Sequence, residues 1–227
     1  MIRAILFDLD GTLADTEPLH FAAFHEIFAR ESIELSREEY FSRLIGFNDH
    51  DCFGTVLREN GKNASEEELA ALTARKAVVY QEMIRNRDVM YPGAAEFVRE
   101  CAARFPLVLV TGTLRDEAEM ILRRSGLREL FLDIVAAEDV EHGKPEPDGF
   151  NMALGRLGFL LRQRDAIEPA QALVIEDTAA GVEAGRRAGM RVLALKHSAP
   201  EADLAGADIM CASIAEANLD AILRHLA

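Results

Sequence analysis

Apolar residues come in two rhythms along this chain. Short unbroken runs at residues 4–7, 107–110, 134–137, 173–175, 192–195 and 209–211 predict strands, most of them buried on both faces. Between them, residues 94–103, 117–125, 150–157 and 181–188 repeat their apolar positions at helical spacing. Strand and helix in alternation predict an α/β fold, a doubly wound, Rossmann-like parallel sheet with helices on both faces. Ligands of such sheets sit beyond the carboxyl ends of the strands, so polar residues directly after a strand become the candidates for chemistry.

One stretch breaks the alternation. Residues 15–88 hold no strand pattern but four helical ones, at 19–30, 37–44, 51–59 and 66–84. The stretch follows the first strand directly and ends before the turn signal Tyr91-Pro92-Gly93. Residues 1–14 and 89–227 are therefore expected to form the α/β core, and 15–88 a helical cap domain inserted after the first strand. Both crossings flank that strand's carboxyl end, which makes the insert a lid over the candidate site.

With 227 residues, 49% of them hydrophobic, and a mean hydropathy near zero, the chain can bury a substantial core. Its 25 basic and 39 acidic residues leave a formal charge of −14. The acids are spread: nine basic face fifteen acidic residues over 15–88, and sixteen face twenty-four elsewhere. Such a surface repels nucleic acid and anionic lipid, so neither is an expected partner. It also raises an objection that any phosphate chemistry must answer. Cys52, Cys101 and Cys211 are far apart and form no Cys-x-x-Cys pair, so buried free thiols are expected, with neither a disulfide framework nor a zinc site. The apolar run before Asp8 is too short for a signal peptide, and no run approaches the ~18 residues of a membrane span. A cytoplasmic monomer or homodimer is the expectation.

Candidate chemistry begins at Asp8-Leu9-Asp10-Gly11-Thr12, directly after the first strand. Side chains two apart share a face of an extended chain, so Asp8 and Asp10 can point into one cleft. Two carboxylates there repel each other unless a cation or shared proton intervenes. With a divalent ion bound, one can serve as nucleophile while its neighbour holds a proton. Gly11 lets the backbone turn away tightly. Thr111-Gly112-Thr113 follows the second strand, and Thr113 with Asp116 predicts a capping-box-like helix start with free N–H groups for an anion. The prolines of His142-Gly143-Lys144-Pro145-Glu146-Pro147-Asp148 stiffen a loop that fixes Lys144 for charge balance or phosphate binding. Glu176-Asp177 ends a buried strand in two acids, expensive unless they meet a cation. With Asp8 and Asp10 they form an all-oxygen set suited to Mg²⁺. Gly181, Gly185 and Gly189 at four-residue spacing predict close helix packing on the sheet.

The order DxDGT, Thr, Lys, acidic pair resembles the phosphatases of the haloacid dehalogenase superfamily with a helical cap, over essentially the whole chain. Asp15-Thr16-Glu17-Pro18-Leu19-His20 further resembles the β-phosphoglucomutase and sugar-phosphatase branch. The resemblance implies a small phosphorylated metabolite, a sugar phosphate or phosphoglycolate-like monoester, as substrate. Asp8 is then the nucleophile that forms an aspartyl-phosphate. Asp10 protonates the leaving alcohol and activates water, while its carbonyl binds Mg²⁺. Thr111 and Lys144 hold the phosphoryl group, helped by Gly11, Gly112 and Thr113. Asp177 ligates the metal with Glu176 supporting or joining it. His20 and Lys76 become candidates for cap-side contacts.

Some features depart from that pattern. A mutase is expected to carry an arginine just after the cap glycine, yet Gly46 is followed by Phe47-Asn48-Asp49-His50, which favours hydrolysis over a mutase. Residues 159–166, with Arg162, Gln163, Arg164 and Asp165, lengthen the link to the Glu-Asp strand and suggest a surface excursion or subunit contact. Gly149 stands where a larger residue is usual. A haloacid dehalogenase would lack the acid at position 10. A phosphate-accepting receiver would be half this length without the insert, and a silent binding protein would have lost Asp8 or Asp10.

Overall fold

The structure, a computed structural model, describes residues 1–45, 47–85, 87–161 and 166–227. Among them, β1 (Ala4–Phe7), β2 (Leu107–Val110), β3 (Phe131–Val135), β4 (Ala172–Glu176), β5 (Arg191–Leu195) and β6 (Ile209–Cys211) form one sheet. All pairings are parallel, in the order β3-β2-β1-β4-β5-β6. The chain runs outward in opposite directions from β1 and β4, and a crevice opens at the carboxyl ends of these two neighbours. Asp8 therefore emerges beside the end of β4, its N–H bonded to the Ile175 carbonyl at 3.0 Å.

The helical insert between β1 and the rest of the sheet comprises α1 (Glu17–Arg30), α2 (Arg37–Glu39), a π-helical turn at Tyr40–Leu44, α3 (Asp49–Glu59) and α4 (Glu66–Ile84). Its own core gathers Phe24, Phe28, Phe53, Leu57, Leu69 and Leu72. Leu19 and Ala23 of α1, with Tyr80 and Ile84 of α4, belong instead to the core of the sheet, so the insert docks through these positions. Asn48 caps α3, and Ser65 with Glu68 forms a capping box on α4.

The remaining helices are α5 (Ala94–Ala102), α6 (Arg115–Arg124), α7 (Asp148–Leu160), α8 (Ala179–Arg187) and α9 (Leu219–His225). Alternation along β1 divides them between two layers. Ile5 and Phe7 pack with residues of α5, α6 and α9. Ala4 and Leu6 pack with Phe150 and Leu157 of α7 and Val182 of α8. Gly149 has a reason in this packing: a Cβ there would meet Val110 Cγ1 at 2.9 Å.

Most elements lie where the apolar rhythm predicts them, within a residue or two. β3 starts three residues earlier than expected because edge exposure gives it an alternating pattern, with Leu132 exposed and Asp133 half-buried. The helix expected over 37–44 breaks into a single α turn and the π turn. Helix α9 has no counterpart in the sequence reading. Cys52 and Cys101 are buried free thiols as expected, whereas Cys211 on edge strand β6 is half-buried. No described helix is long and apolar enough to cross a membrane. Of the expected 159–166 excursion, Phe159 and Leu160 are exposed, and Arg162, Gln163, Arg164 and Asp165 lie outside the described residues.

Candidate active site

A cavity of about 40 Å³ lies between the insert and the carboxyl end of the sheet. Asp8, Asp10, Gly112, Thr113, Lys144, Glu176 and Thr178 line it from the sheet side, and Glu17, His20, Phe24, Tyr40, Phe47 and Asp49 from the insert. It has room for a few waters at roughly 10–15 Å³ each, and none for a sugar phosphate.

Asp8 leaves β1 buried, 5% exposed, and accepts a hydrogen bond from Lys144. The same ammonium lies 2.6 Å from Glu176 Oε1 and donates to the Val110 carbonyl at 3.2 Å. One carboxylate oxygen each from Asp8, Glu176 and Asp177 lies within 4.8 Å of the others. Burial pushes Asp8 well above the usual carboxylate range, which Lys144 only partly offsets. Burial, together with the neighbouring Glu176, pushes Asp177 up to about 8. Three buried acids against one lysine leave negative charge uncompensated, and all the donors are hard oxygens. Such a set fits a divalent cation.

The glycines support this arrangement. Gly11 has φ +82°, and a Cβ on it would meet Asp177 Oδ2 at 2.2 Å. Gly181 corrects the sequence reading: a Cβ there would overlap the Glu176 carboxyl at 1.8 Å, so this glycine makes room for an acid. Gly185 does pack closely on Val192 and Val174, while Gly189, with φ +74°, turns the chain after α8.

Asp10 departs from the expected set of four carboxylates around a cation. Its side chain turns toward the insert, accepting from Thr16 Oγ1 at 2.6 Å on Oδ1, and from Thr113 Oγ1 at 2.5 Å and Thr111 Oγ1 at 3.1 Å on Oδ2. His20 Nε2 is 3.2 Å from Oδ1. Burial opposes its ionisation, but the His20, Thr113 and Thr16 contacts outweigh it and hold the group below the usual carboxylate range. Thr113 is thus not the helix cap that the sequence predicts. Leu114 occupies the N-cap of α6, and the Glu138 carboxylate accepts from Arg115 N at 3.1 Å, filling one of the donors expected for an anion. Thr111 accepts from Thr113 N at 3.0 Å and is committed to Asp10.

Lys76, a candidate for direct contact with a ligand, is wholly buried and does not line the cavity. It donates to His20 Nδ1 at 2.7 Å and to Asp49 Oδ1 at 2.8 Å. Burial would lower its pKa, but Asp49 and Glu117 more than offset this and raise it. With the ammonium donating to Nδ1, the ring proton of His20 lies on Nε2 and points at Asp10. Lys76 therefore reaches Asp10 through His20. Sequence reasoning did not single out Thr16, Glu17, Tyr40, Asp49 or Glu117 as site residues. Glu117 carried a signal, an acid one residue from Ala118 and four from Ile121 on the buried side of α6. It is fully buried with neither oxygen hydrogen-bonded, and burial raises its pKa to about 7 against the pull of Lys76.

Residues 2–189 match the model of the haloacid dehalogenase-like hydrolases. The chain belongs to that family. Among haloacid dehalogenase-like relatives, it is 32% identical to Protein CbbY of Rhodobacter capsulatus over 199 residues, 85% of this chain and 84% of that one. It is 30% identical to the fructose-1-phosphate phosphatase YqaB of Escherichia coli K12 over 186 residues, 82% of this chain and 92% of that one. The solved complex of CbbY from Rhodobacter sphaeroides with xylulose-(1,5)bisphosphate superposes with a TM-score of 0.82 at 31% identity, covering 95% of this chain and 96% of that one.

Proposed function

We propose that this chain is a Mg²⁺-dependent phosphatase that releases phosphate from a small phosphorylated metabolite through an aspartyl-phosphate on Asp8. The observation that carries the reading is the placement of Asp8 at the end of β1, between Lys144 and two further acids, with Asp10 facing the same cavity. Phosphatase relatives such as the fructose-1-phosphate phosphatase support the reaction class. Residues 15–88 act as a cap domain: a cavity of about 40 Å³ is too small for a metabolite, so the cap swings aside to admit one.

In the first half-reaction an Asp8 oxygen bonds to phosphorus while the phosphorus–oxygen bond to the leaving alcohol breaks. Asp10 gives that alcohol its proton. In the hydrogen-bonded arrangement described above Asp10 is a carboxylate, ready to act as a base. A phosphate dianion brought beside it raises its proton affinity, which supplies the acid form when substrate is bound. In the second half-reaction water attacks phosphorus, Asp10 takes the water's proton, and the bond to Asp8 breaks. Lys144 stabilises charge on the transferring phosphoryl oxygens, the main requirement of this reaction class. Asp8, Asp177 and Glu176, with the Asp10 carbonyl, would hold Mg²⁺, which when bound would supply positive charge that keeps the carboxylates ionised and offsets the phosphoryl group.

The test is phosphate release from p-nitrophenyl phosphate. EDTA should stop turnover and Mg²⁺ restore it, and Asp8→Asn should lower the rate by roughly 10³-fold or more. Turnover indifferent to chelator, or an Asp8→Asn rate near wild type, would overturn the reading.

A further inference from the structure

The loop after β5 takes no part in the chemistry above, yet two of its residues reach the acids at the end of β1 and β4. Nε2 of His197 meets the carbonyl oxygen of Gly11. A carbonyl only accepts, so this nitrogen carries the ring proton and donates it. The ring also packs on Tyr91, with centroids 4.7 Å apart, and the Tyr91 hydroxyl donates to Asp15 Oδ1 at 3.4 Å. Ser198, next in the chain, hydrogen-bonds the Asp177 carboxyl. The loop is itself anchored: Lys196 N donates to the Cys211 carbonyl at 2.9 Å, and its ammonium pairs with Glu201 at 2.8 Å. His197 thus ties a fixed part of the sheet to the turn that follows Asp10, and Ser198 ties it to an acid.

The place of that turn matters because it presses on Asp177. A Cβ on Gly11 would meet Asp177 Oδ2, an oxygen with no hydrogen-bond partner among the described residues, at 2.2 Å. Thr12 Oγ1 donates to Asp177 Oδ1 at 2.7 Å. Gly11 N donates to the Ala14 carbonyl at 2.8 Å, and in a trans peptide this points the Asp10 carbonyl the opposite way. These bonds shape the turn and join it to the acid, whereas the His197 bond holds the Gly11 carbonyl from outside. We propose that His197 is a positioning residue for the metal site, holding the Gly11 turn against Asp177 so that the Asp10 carbonyl and the Asp177 carboxyl are set for one cation. The proposal rests on the Mg²⁺ part of the reading above. Mg²⁺ demands near-ideal octahedral geometry, so a turn free to shift weakens its binding more than a loose site for a larger ion would suffer. Partners that orient metal ligands in this way are worth about 10–100-fold in affinity. His197 is exposed, so replacing it leaves the core of the sheet intact.

The experiment titrates the full chain with Mg²⁺ in a calorimeter, without substrate, and measures Tm in EDTA by circular dichroism. His197→Ala should raise the Kd for Mg²⁺ by about tenfold or more. His197→Gln, which keeps an N–H donor near the place of Nε2, should stay within about threefold of wild type. If His197→Ala does not fold, Ser198→Ala carries the test and should raise the Kd by about threefold or more. A merely structural role would lower Tm in EDTA and leave the Kd where it was, and that result overturns the proposal. So does a His197→Gln variant as weak as His197→Ala, which would assign the effect to ring packing on Tyr91. Wild-type Mg²⁺ binding with a Kd unmoved in the variants sinks this proposal alone and leaves the phosphatase reading standing. A wild-type chain that binds no Mg²⁺ brings down both.

Discussion

Replacing Lys76 by methionine removes one charge from the centre of the insert and separates two functions of that lysine. The side chain is fully buried, and its ammonium makes two hydrogen bonds, to Asp49 at 2.8 Å and to His20 at 2.7 Å. Methionine fills much the same volume, so little of the effect comes from a cavity. The cost comes from Asp49, which already has an unpartnered Oδ2 and would lose the only partner that Oδ1 has among the described residues. Breaking a buried pair from one side costs about 3–5 kcal/mol. In a chain of this length, at about 2–4 °C per kcal/mol, Tm should fall by roughly 6–20 °C. The chain has no tryptophan, so far-UV circular dichroism is a better monitor than intrinsic fluorescence. The double variant Lys76→Met/Asp49→Leu should recover most of the lost Tm, because a buried pair exchanged for apolar residues is near neutral. It should not recover kcat, because His20 has still lost the donor that holds its Nε2 proton toward Asp10. A single variant melting within 1 °C of wild type, or a double variant no more stable than the single, would refute the reasoning.

Three further outcomes follow from the same site. Glu117 has its folded pKa raised from 4.5 to about 7. The folded state therefore holds more protons than the unfolded one in that window, and stability falls as pH rises from about 5 to 7, by about 3 kcal/mol at most. Glu117→Gln should flatten that dependence in Tm measured at pH 5 and pH 8, and an equal slope in both proteins counts against it. Gly181→Ala should cost about 1–3 kcal/mol and raise the Mg²⁺ concentration needed for half-maximal rate, since its methyl displaces the Glu176 carboxyl. A metal titration unchanged from wild type would show that Glu176 has no part in holding the cation. Lys144→Met should lower kcat on p-nitrophenyl phosphate by roughly 10²-fold or more, and a rate within threefold of wild type would remove Lys144 from the chemistry.

The sheet and its neighbours were legible in the sequence because β1, β2, β4 and β5 are buried on both faces and read as unbroken apolar runs. Edge strand β3 was read late, since Leu132 and Asp133 answer to solvent as much as to the core. The motif residues of the core half of the site were legible for a related reason: each follows a strand directly, so position in the chain fixes position in space. The insert's half was not. Glu17, Tyr40, Asp49, Lys76 and His20 come from four elements whose relative rotation no short-range pattern encodes. Lys76 read as an available cation because nothing local to α4 reveals that Asp49, 27 residues earlier, engages it. The direction of the Asp10 side chain was likewise hidden. Spacing aimed it at the acids, but the hydroxyls of Thr16, Thr111 and Thr113 draw it the other way. The charge of −14 also takes on a different meaning here. Part of it is concentrated around one lysine at the end of β1, where a bound cation would reverse the local field for a phosphate ester.

The central claim is that Asp8 carries the phosphoryl group. Rapid acid quench of the enzyme during turnover of p-nitrophenyl phosphate, followed by peptide mass spectrometry, tests it most directly. The account predicts a phosphoryl adduct on the Asp8-containing peptide within the first turnover, absent from Asp8→Asn and absent when Mg²⁺ is chelated. Steady turnover with no adduct on that peptide, or an adduct that persists in Asp8→Asn, would contradict it.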